Sequence, residues 1–346
     1  AVTFSVDGDA AHSLTGSTGN DTFTFNAPTA NPVGASNITV NGVSGTDVLN
    51  VTLTTGAADF DAVSNIDTMN ITMSGSAAVT FQADADVLDG INTATKVNFL
   101  GGNALSTITN SSGDTLIGAS AAGNNILDFS GYAGRIADIT WDEDDLDNDT
   151  AGITVQVIGT ANTDIVSASY GNSTQSVQIN TQAVERLDIA LANGAVTTMD
   201  MSLATGLTTI NLSDASSETA IINSLATGVT VDYTTTDATA SNLTIAQADV
   251  SGSSDSQTVI AAAASANDNL ELTMVDIETL NISSDTAAQV DLGLANVSMT
   301  ASGATVAVNV TGTNDIEFIT TNADINVIDA STMGTGGAVV QSGRSR

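Results

Sequence analysis

The sequence predicts an all-β protein, an elongated β-solenoid that is similar to a parallel β-helix and has little helix. Apolar and polar residues alternate in short runs along the chain, as half-buried strands require, for example at 48–55 (VLNVTLTT), 209–213 (TINLS) and 306–312 (VAVNVTG). Clusters of Gly, Asn, Asp and Ser separate these runs and indicate turns. A weak internal repeat indicates that the resulting coils stack on one another.

The repeat has two halves. The first is a turn aspartate followed at once by a strand, as in 19–25, 45–53, 162–169, 266–274 and 313–320. The second is an acidic residue or threonine that leads into an apolar–Asn–apolar pattern, as in 65–72, 183–190, 206–213 and 276–283. The intervals are uneven: 20 residues from Asp47 to Asp67, 21 from Asp164 to Glu185, and 10 from Asp268 to Glu278. This spacing favours coils of uneven length over a strict nine-residue β-roll.

Three regions follow in order along the chain. Residues 1–44 are predicted to form an N-terminal β segment, 45–160 a first β-solenoid-like domain with an acidic loop at 142–149, and 161–346 a second β-solenoid-like repeat domain. The stretches 57–65, 83–96 and 244–252 have room for a turn or two of helix, because none carries a long apolar stripe. Inward positions are expected to be Val, Ile, Leu and Ala, and outward positions Thr, Ser and Asn.

The charge balance excludes several partners. The chain carries 39 Asp and Glu against five Lys and Arg, a formal net charge of −34. Without a basic patch the protein is not expected to bind nucleic acid, and an anionic membrane surface would repel it. No stretch approaches the roughly 18 apolar residues of a membrane helix. Because such an excess of one sign destabilises a compact state, we expect divalent cations to neutralise it. The alternative is an acidic surface that serves solubility alone.

The residue types that most enzymes need are scarce. Cysteine is absent, which excludes disulfides and thiolate sites, and His12 is the single histidine. No nucleophile elbow or phosphate-binding loop is present. We therefore expect no enzymatic activity. One enzymatic alternative stays open, a β-helical polysaccharide lyase, which would need a basic catalyst; Arg135 and Arg186 are the only interior arginines.

The glycine-bearing turns predict calcium sites. In residues 13–25 (SLTGSTGNDTFTF), Gly16 and Gly19 precede Asn20 and Asp21. Glycine lets the backbone turn its carbonyls inward, and calcium accepts six to eight carbonyl, amide and carboxylate oxygens. We expect several Ca²⁺ ions, with these candidate ligands in the turns and at the acidic positions of the repeat: Asp7, Asp9, Asn20, Asp21, Asp47, Asp67, Asp164, Asp268, Glu278 and Asp315. The alternative at any single turn is an aspartate that accepts backbone N–H bonds without metal.

The densest acidic cluster is the loop 141–150 (WDEDDLDNDT). Its carboxylates repel one another unless cations lie among them, and the alternate residues Asp145, Asp147 and Asp149 resemble the spacing of oxygen ligands in a calcium loop. The glycine and the glutamate that an EF-hand loop requires are missing. The loop is predicted to bind calcium without being an EF-hand, through Asp142, Asp144, Asp145, Asp147 and Asp149. The alternative is a solvated acidic loop.

These motifs resemble a known family. The stretch 13–25, followed by 45–53 (GTDVLNVTL), 65–72 (NIDTMNIT) and 276–283 (DIETLNIS), is similar to repeats-in-toxin proteins, and more narrowly to the lattice-forming part of Caulobacter-type surface-layer proteins. The first 75 residues match well, 160–330 more weakly and 76–160 poorly. The resemblance implies type I secretion, calcium-dependent folding outside the cell and self-assembly into a sheet. The chain departs from the family in lacking tandem GGxGxD nonapeptides.

The expected function is a structural protein that assembles with itself through calcium into an extracellular surface layer on a bacterial cell. Its expected partners are other copies of the same chain and, through another domain, cell-surface polysaccharide. An alternative is a calcium-stiffened module of a secreted adhesin, fibre or biofilm-matrix protein. The polysaccharide lyase is the third possibility.

Overall fold

The fold is taken from a computed structural model. It describes residues 2–7, 12–27, 38–53, 56–58, 62–73, 79–83, 91–101, 106–110, 123–128, 130, 136–141, 153–171, 175–192, 196–214, 218–235, 241–263, 269–284, 292–300, 305–312, 316–318, 325–334 and 339–341. The chain divides into two compact units: unit 1 is Ala1–Ala168 with Asn180–Glu185, and unit 2 is Ser169–Ile179 with Arg186–Arg346. The three regions expected from the sequence stay a prediction.

Each unit is built from parallel strands in two sheets, which we call sheet A and sheet B, and unit 1 has a small additional sheet C. Sheet A strands of unit 1 are β1 Thr3–Asp7, β3 Thr22–Ala27, β5 Val48–Leu53, β8 Ile66–Met73, β10 Ile91–Gly101, β12 Gly123–Asp128 and β14 Ile153–Ile158. Its sheet B strands are β6 Gly56–Ala58, β9 Val79–Ala83, β11 Ser106–Asn110 and β13 Ile136–Trp141, and its sheet C strands are β2 His12–Thr15, β4 Ile38–Asn41 and β7 Ala62–Ser64.

In unit 2 the chain likewise alternates between the two sheets. Sheet A holds β18 Val196–Thr205, β20 Thr219–Leu225, β22 Ser241–Gln247, β24 Asn269–Val275, β26 Leu292–Thr300, β28 Ile316–Phe318 and β30 Val339–Gln341. Sheet B holds β17 Arg186–Ala192, β19 Thr209–Asp214, β21 Thr230–Thr235, β23 Ser256–Ala263, β25 Thr279–Ser284, β27 Val306–Thr311 and β29 Ile325–Asp329. Strands β15 Ile165–Gly171 and β16 Gln175–Gln182 contribute residues to both units.

The register explains why the chain alternates. Inward side chains of successive strands stack into apolar columns, such as Phe23, Leu49 and Met69 in unit 1, which are all 0 % exposed. In unit 2 one sheet A column is formed by Met199, Ile222, Ile245, Met274 and Met299. Full burial of one such side chain stabilises the fold by roughly 1.5–3 kcal/mol. Because one coil has few inward residues, stability depends on its stacked neighbours.

Outward positions are polar, as expected, and some form ladders between coils. The side-chain amide of Asn70 donates to Asn50 Oδ1 across β8 and β5 (2.8 Å), and that of Asn309 donates to Asn281 Oδ1 across β27 and β25 (2.9 Å). Thr209, Thr230 and Thr258 occupy one outward column of sheet B, so its successive coils are 21 and 28 residues long. Uneven coil lengths are therefore confirmed.

The prediction of an all-β solenoid is confirmed, and the described residues contain no helix. The short helical turns allowed for at 57–65, 83–96 and 244–252 were wrong in their described parts, which are strand or turn. Alternation toward an apolar interior outweighs the weak helix propensity of these alanine-containing stretches. A helix capable of spanning a membrane is likewise missing from the part of the chain that the structure describes.

Candidate functional site

The carboxylates predicted as calcium ligands meet at a recurring arrangement, which we call the acidic corner. One coil supplies a turn that runs from a glycine to an aspartate. The next coil supplies a residue with positive φ, a buried apolar residue and an acid. The three acidic corners are Gly42–Asp47 with Asn65–Asp67, Gly159–Asp164 with Ala183–Glu185, and Gly252–Asp255 with Asp276–Glu278. Each corner lies at a point where the chain passes from one sheet to another.

In every acidic corner the acid of the second coil accepts the backbone N–H of the turn aspartate in the first. Asp47 N–H donates to Asp67 Oδ2 over 2.7 Å, Asp164 N–H donates to Glu185 Oε2 over 2.8 Å, and Asp255 N–H donates to Glu278 Oε2 over 2.8 Å. The carbonyls of Asp47 and Asp255 in turn accept backbone N–H groups of the second coil. The acids therefore join neighbouring coils, and hydrogen bonds to a charged acceptor are among the stronger ones in proteins.

The residues around the acid explain how it is positioned. Asn65, Ala183 and Asp276 have φ values of 55°, 53° and 54°, so the backbone turns sharply at these positions. The apolar residue that follows is Ile66, Val184 or Ile277, and each is 0 % exposed. The buried apolar side chain anchors the corner in the core while the acid beside it reaches the preceding coil.

Two of the turn glycines are required by close packing. A Cβ atom at Gly42 would overlap the carbonyl oxygen of Asn65, and one at Gly159 would overlap the carbonyl oxygen of Ala183. The backbone N–H groups of Gly42 and Gly159 donate to Ser64 O (2.9 Å) and Gln182 O (2.7 Å), which draws the two coils together. Glycine serves here through its lack of a side chain.

A further turn, Gly16–Asp21, extends the first corner into an acidic column of three coils, Asp21–Asp47–Asp67. Asp21 N–H donates to Asp47 Oδ1 over 2.7 Å, and Asp21 itself accepts hydrogen bonds from the backbone N–H and the hydroxyl of Ser17. The hydrogen bond from the Ser17 N–H lowers the pKa of Asp21 below its ordinary value. Asn20 also bridges coils, because its Oδ1 accepts the Thr46 N–H over 3.0 Å.

Asp47, in the middle of the acidic column, is the least satisfied of the three. It is 0 % exposed, and its Oδ2 accepts no hydrogen bond from the described residues. In the turns at Gly16 and Gly159 the residue after the glycine, Ser17 or Thr160, donates its N–H to the aspartate. At Gly42 the corresponding residue is Val43, whose N–H donates instead to Asn41 Oδ1 (2.9 Å).

Burial raises the pKa of Asp47 above its ordinary value, and the neighbouring carboxylates Asp21 and Asp67 raise it further. The hydrogen bond from the Asp21 N–H acts in the opposite direction but does not reverse the shift. A buried carboxylate with a free oxygen and two acidic neighbours is a position where a cation or a proton would be stabilised.

A second buried polar cluster lies in unit 2, and the sequence gave no indication of it. Tyr233, which is 0 % exposed, donates its hydroxyl to Asp214 Oδ2 over 3.1 Å, and the Ser241 hydroxyl donates to the same oxygen. Glu218 is also 0 % exposed. Burial, and next the charge of Asp214, raise the pKa of Tyr233 well above its ordinary value. This phenol therefore stays protonated and serves as a hydrogen-bond donor inside the solenoid.

The structure brings together some of the predicted ligands. Asp21, Asp47 and Asp67 form one column, whereas Asp164 and Glu278 lie in corners with Glu185 and Asp255, which were not among the predicted ligands. The first two intervals of the repeat, 20 and 21 residues, each match one corner. Asp268 precedes Glu278 most closely in sequence, but Glu278 bonds Asp255, which lies 23 residues before it.

Other predicted ligands lie beyond what can be placed. Asp7 is described only as the last residue of β1. The rest lie outside the described residues: Asp9, Asp142, Asp144, Asp145, Asp147, Asp149, Asp268 and Asp315. Among the residues that are described, no group of three or more His, Cys, Asp and Glu side chains is placed to hold a metal ion.

Comparison with protein families, with curated proteins and with solved structures finds no match to this chain. The β-solenoid and its acidic corners are therefore the observations on which a function has to be argued.

Proposed function

We propose that this protein is a structural protein that assembles with itself through calcium into an extracellular surface layer on a bacterial cell. The observation that carries the proposal is the acidic column, in which Asp47 Oδ2 is buried without a hydrogen-bond donor among the described residues. A carboxylate oxygen in that position, flanked by Asp21 and Asp67, suits an oxygen-seeking cation such as calcium. These three side chains are the ones that would hold the ion.

The electrostatics of the chain support a role for calcium in assembly. A net charge of −34 makes two copies repel each other, and only five basic residues oppose it. Extracellular calcium modules bind with dissociation constants of roughly 10⁻⁴ to 10⁻³ M, so their sites fill outside the cell and stay empty in the cytosol. Each ion bound to the folded state stabilises it by mass action, and ions shared between copies would neutralise the contact.

A calcium-stiffened module of a secreted adhesin, fibre or matrix protein is the second candidate, and the acidic corners favour it in one respect. Carboxylates such as Glu185 and Glu278 are engaged with backbone N–H groups of the preceding coil. Such bonds stiffen the stack of coils without a metal ion, which is what a spacer module needs. In this case the protein stays monomeric when calcium is added.

The test is a calcium titration of the purified, chelated protein followed by circular dichroism and negative-stain electron microscopy. The proposal expects β signal and ordered sheets to appear together near millimolar calcium and to disappear with chelator. Single particles with increased β signal would favour the adhesin module. Release of unsaturated sugar ends from an acidic polysaccharide would favour a lyase. A protein that is folded and unchanged without calcium would contradict the proposal.

A matched pair of variants places the effect. Asp47→Asn removes the charge and one oxygen at the centre of the acidic column. Asp329→Asn removes one charge from an exposed turn, in which Asp329 Oδ1 accepts the Ser331 N–H over 2.9 Å. The first variant is expected to need more calcium to assemble and the second to behave like the wild type. Equal calcium requirements for both variants would remove Asp47 from the account.

A further inference from the structure

The turn between β22 and β23 carries a polar arrangement that the other acidic corners lack. Gln247, the last residue of β22, is 6 % exposed, and Gln257 in β23 is 1 % exposed. The Gln247 side-chain amide donates to Ser256 O over 2.8 Å and to Gln257 Oε1 over 3.2 Å. Gln257 in turn donates to Val229 O over 2.9 Å. The two glutamines thus tie the turn to the preceding coil.

Two oxygens of this turn have no donor among the described residues. One is Gln247 Oε1 and the other is Asp255 Oδ2, and both atoms are buried. The orientation of the Gln247 amide is fixed, because its nitrogen already donates to two acceptors and a flipped amide would place an oxygen against the Ser256 carbonyl. Buried acceptors are nearly always satisfied in folded proteins, so a pair of them in one turn requires an explanation.

We infer that this turn binds a calcium ion through Gln247 Oε1 and Asp255 Oδ2; the inference rests on the proposed function for its supply of extracellular calcium. The amide oxygen and the carboxylate belong to the mixed oxygen set that calcium accepts. Asp249 adds a second carboxylate to the turn, and its Oδ1 accepts the N–H (3.0 Å) and the hydroxyl (2.7 Å) of Ser251. Water completes the coordination.

Glu278 acts as a positioning residue in this site. Its Oε2 accepts the Asp255 N–H over 2.8 Å, while the Asp255 carbonyl accepts the N–H groups of Glu278 and Thr279. These three bonds fix the backbone of Asp255 against the next coil. On the other side, Gly252 leaves room for the carboxylate, because a Cβ there would lie 2.8 Å from Asp255 Oδ1. The carboxylate is thereby held beside the turn and away from the next coil.

The inference is tested by counting ions. Chelated protein is titrated with calcium chloride in a calorimeter, using the wild type, Asp255→Asn, Gln247→Leu and the control Asp329→Asn. Asp255→Asn and Gln247→Leu are each expected to bind one calcium ion fewer per chain than the wild type, and Asp329→Asn the same number. Equal numbers in all four proteins would overturn the site.

Hydrogen exchange on the unmodified protein keeps the test decisive if a variant does not fold. Saturating calcium is expected to slow exchange in peptides that cover 248–257 by about tenfold or more, through loss of local opening. Peptides that cover 325–334 serve as the control. Unchanged exchange in 248–257 would overturn the site. If the site fills but no assembly follows, the inference stands and the proposed surface layer fails.

Discussion

Single residues hold neighbouring coils together at the acidic corners, and glycine is the most constrained of them. Gly42 and Gly159 lie directly against a carbonyl oxygen of the next coil. Either the coils separate or the backbone shifts when a Cβ is added. Both responses weaken the bonds from the glycine N–H groups to Ser64 and Gln182.

Gly42→Ala and Gly159→Ala are therefore expected to lower the free energy of unfolding by about 2–4 kcal/mol, in the range of substitutions that force a backbone to move. The measurement is urea denaturation followed by circular dichroism. Gly228→Ala is the control, because a Cβ at Gly228 meets no atom within 4 Å and only its φ of 88° opposes the change. Its cost should be smaller, about 1–2 kcal/mol. A cost at Gly42 no larger than at Gly228 would contradict the packing argument.

Asp47 predicts a pH dependence at the same scale. Its pKa is raised in the folded state, so the folded protein holds a proton that the unfolded chain has released. This contribution favours folding at low pH and is lost as the pH rises from about 4 through the folded-state pKa. In calcium-free buffer, Asp47→Asn should lose less stability over this interval than the wild type. Parallel curves of stability against pH for the two proteins would show that Asp47 is not strained.

At the scale of elements, the acids determine how one coil is joined to the next. Glu185→Ala leaves the N–H of Asp164 without its acceptor, and Asp164 is only 1 % exposed. We expect a loss of about 1–3 kcal/mol, the cost of an unsatisfied buried donor. Glu185→Gln keeps an acceptor oxygen and should cost less. Chemical denaturation of both variants, beside Glu271→Ala on the outward face of β24, measures the difference. A cost for Glu185→Ala no larger than for Glu271→Ala would contradict the role assigned to Glu185.

The elements were largely predictable and their pairing was not. Alternation identifies strands such as β5 and β19 without ambiguity, because inward apolar residues recur at every second position. Which acid meets which turn depends on coil length, and the outward column of sheet B shows coils of 21 and 28 residues. A fixed period would have pointed from Glu278 to Asp255, whereas uneven coils make Asp268 an equally plausible partner in the sequence.

The residues with positive φ carried no usable signal either. Asn65 and Asp276 are types that tolerate this conformation, but Ala183 is not. The cluster of Asp214, Tyr233 and Ser241 was hidden for a different reason. Its members are 19 and 27 residues apart, and only the stacking of the coils brings them together.

At the scale of the whole molecule, charge and burial oppose each other. The interior columns stabilise the stacked coils, whereas a net charge of −34 opposes compaction and association. The acidic corners use part of this charge as hydrogen-bond acceptors. The buried free oxygens of Asp47 and Asp255 mark where cations would contribute most.

The most direct test of calcium-dependent self-assembly is sedimentation velocity on the chelated protein, repeated after addition of calcium or magnesium to about 1 mM, the range of extracellular calcium sites. The account predicts a monomer in chelator and in magnesium, and a large, chelator-reversible rise in sedimentation coefficient with calcium. Magnesium is expected to fail because it demands a tighter octahedral site than these mixed oxygens offer. A protein that sediments as the same monomer in all three conditions would contradict the account.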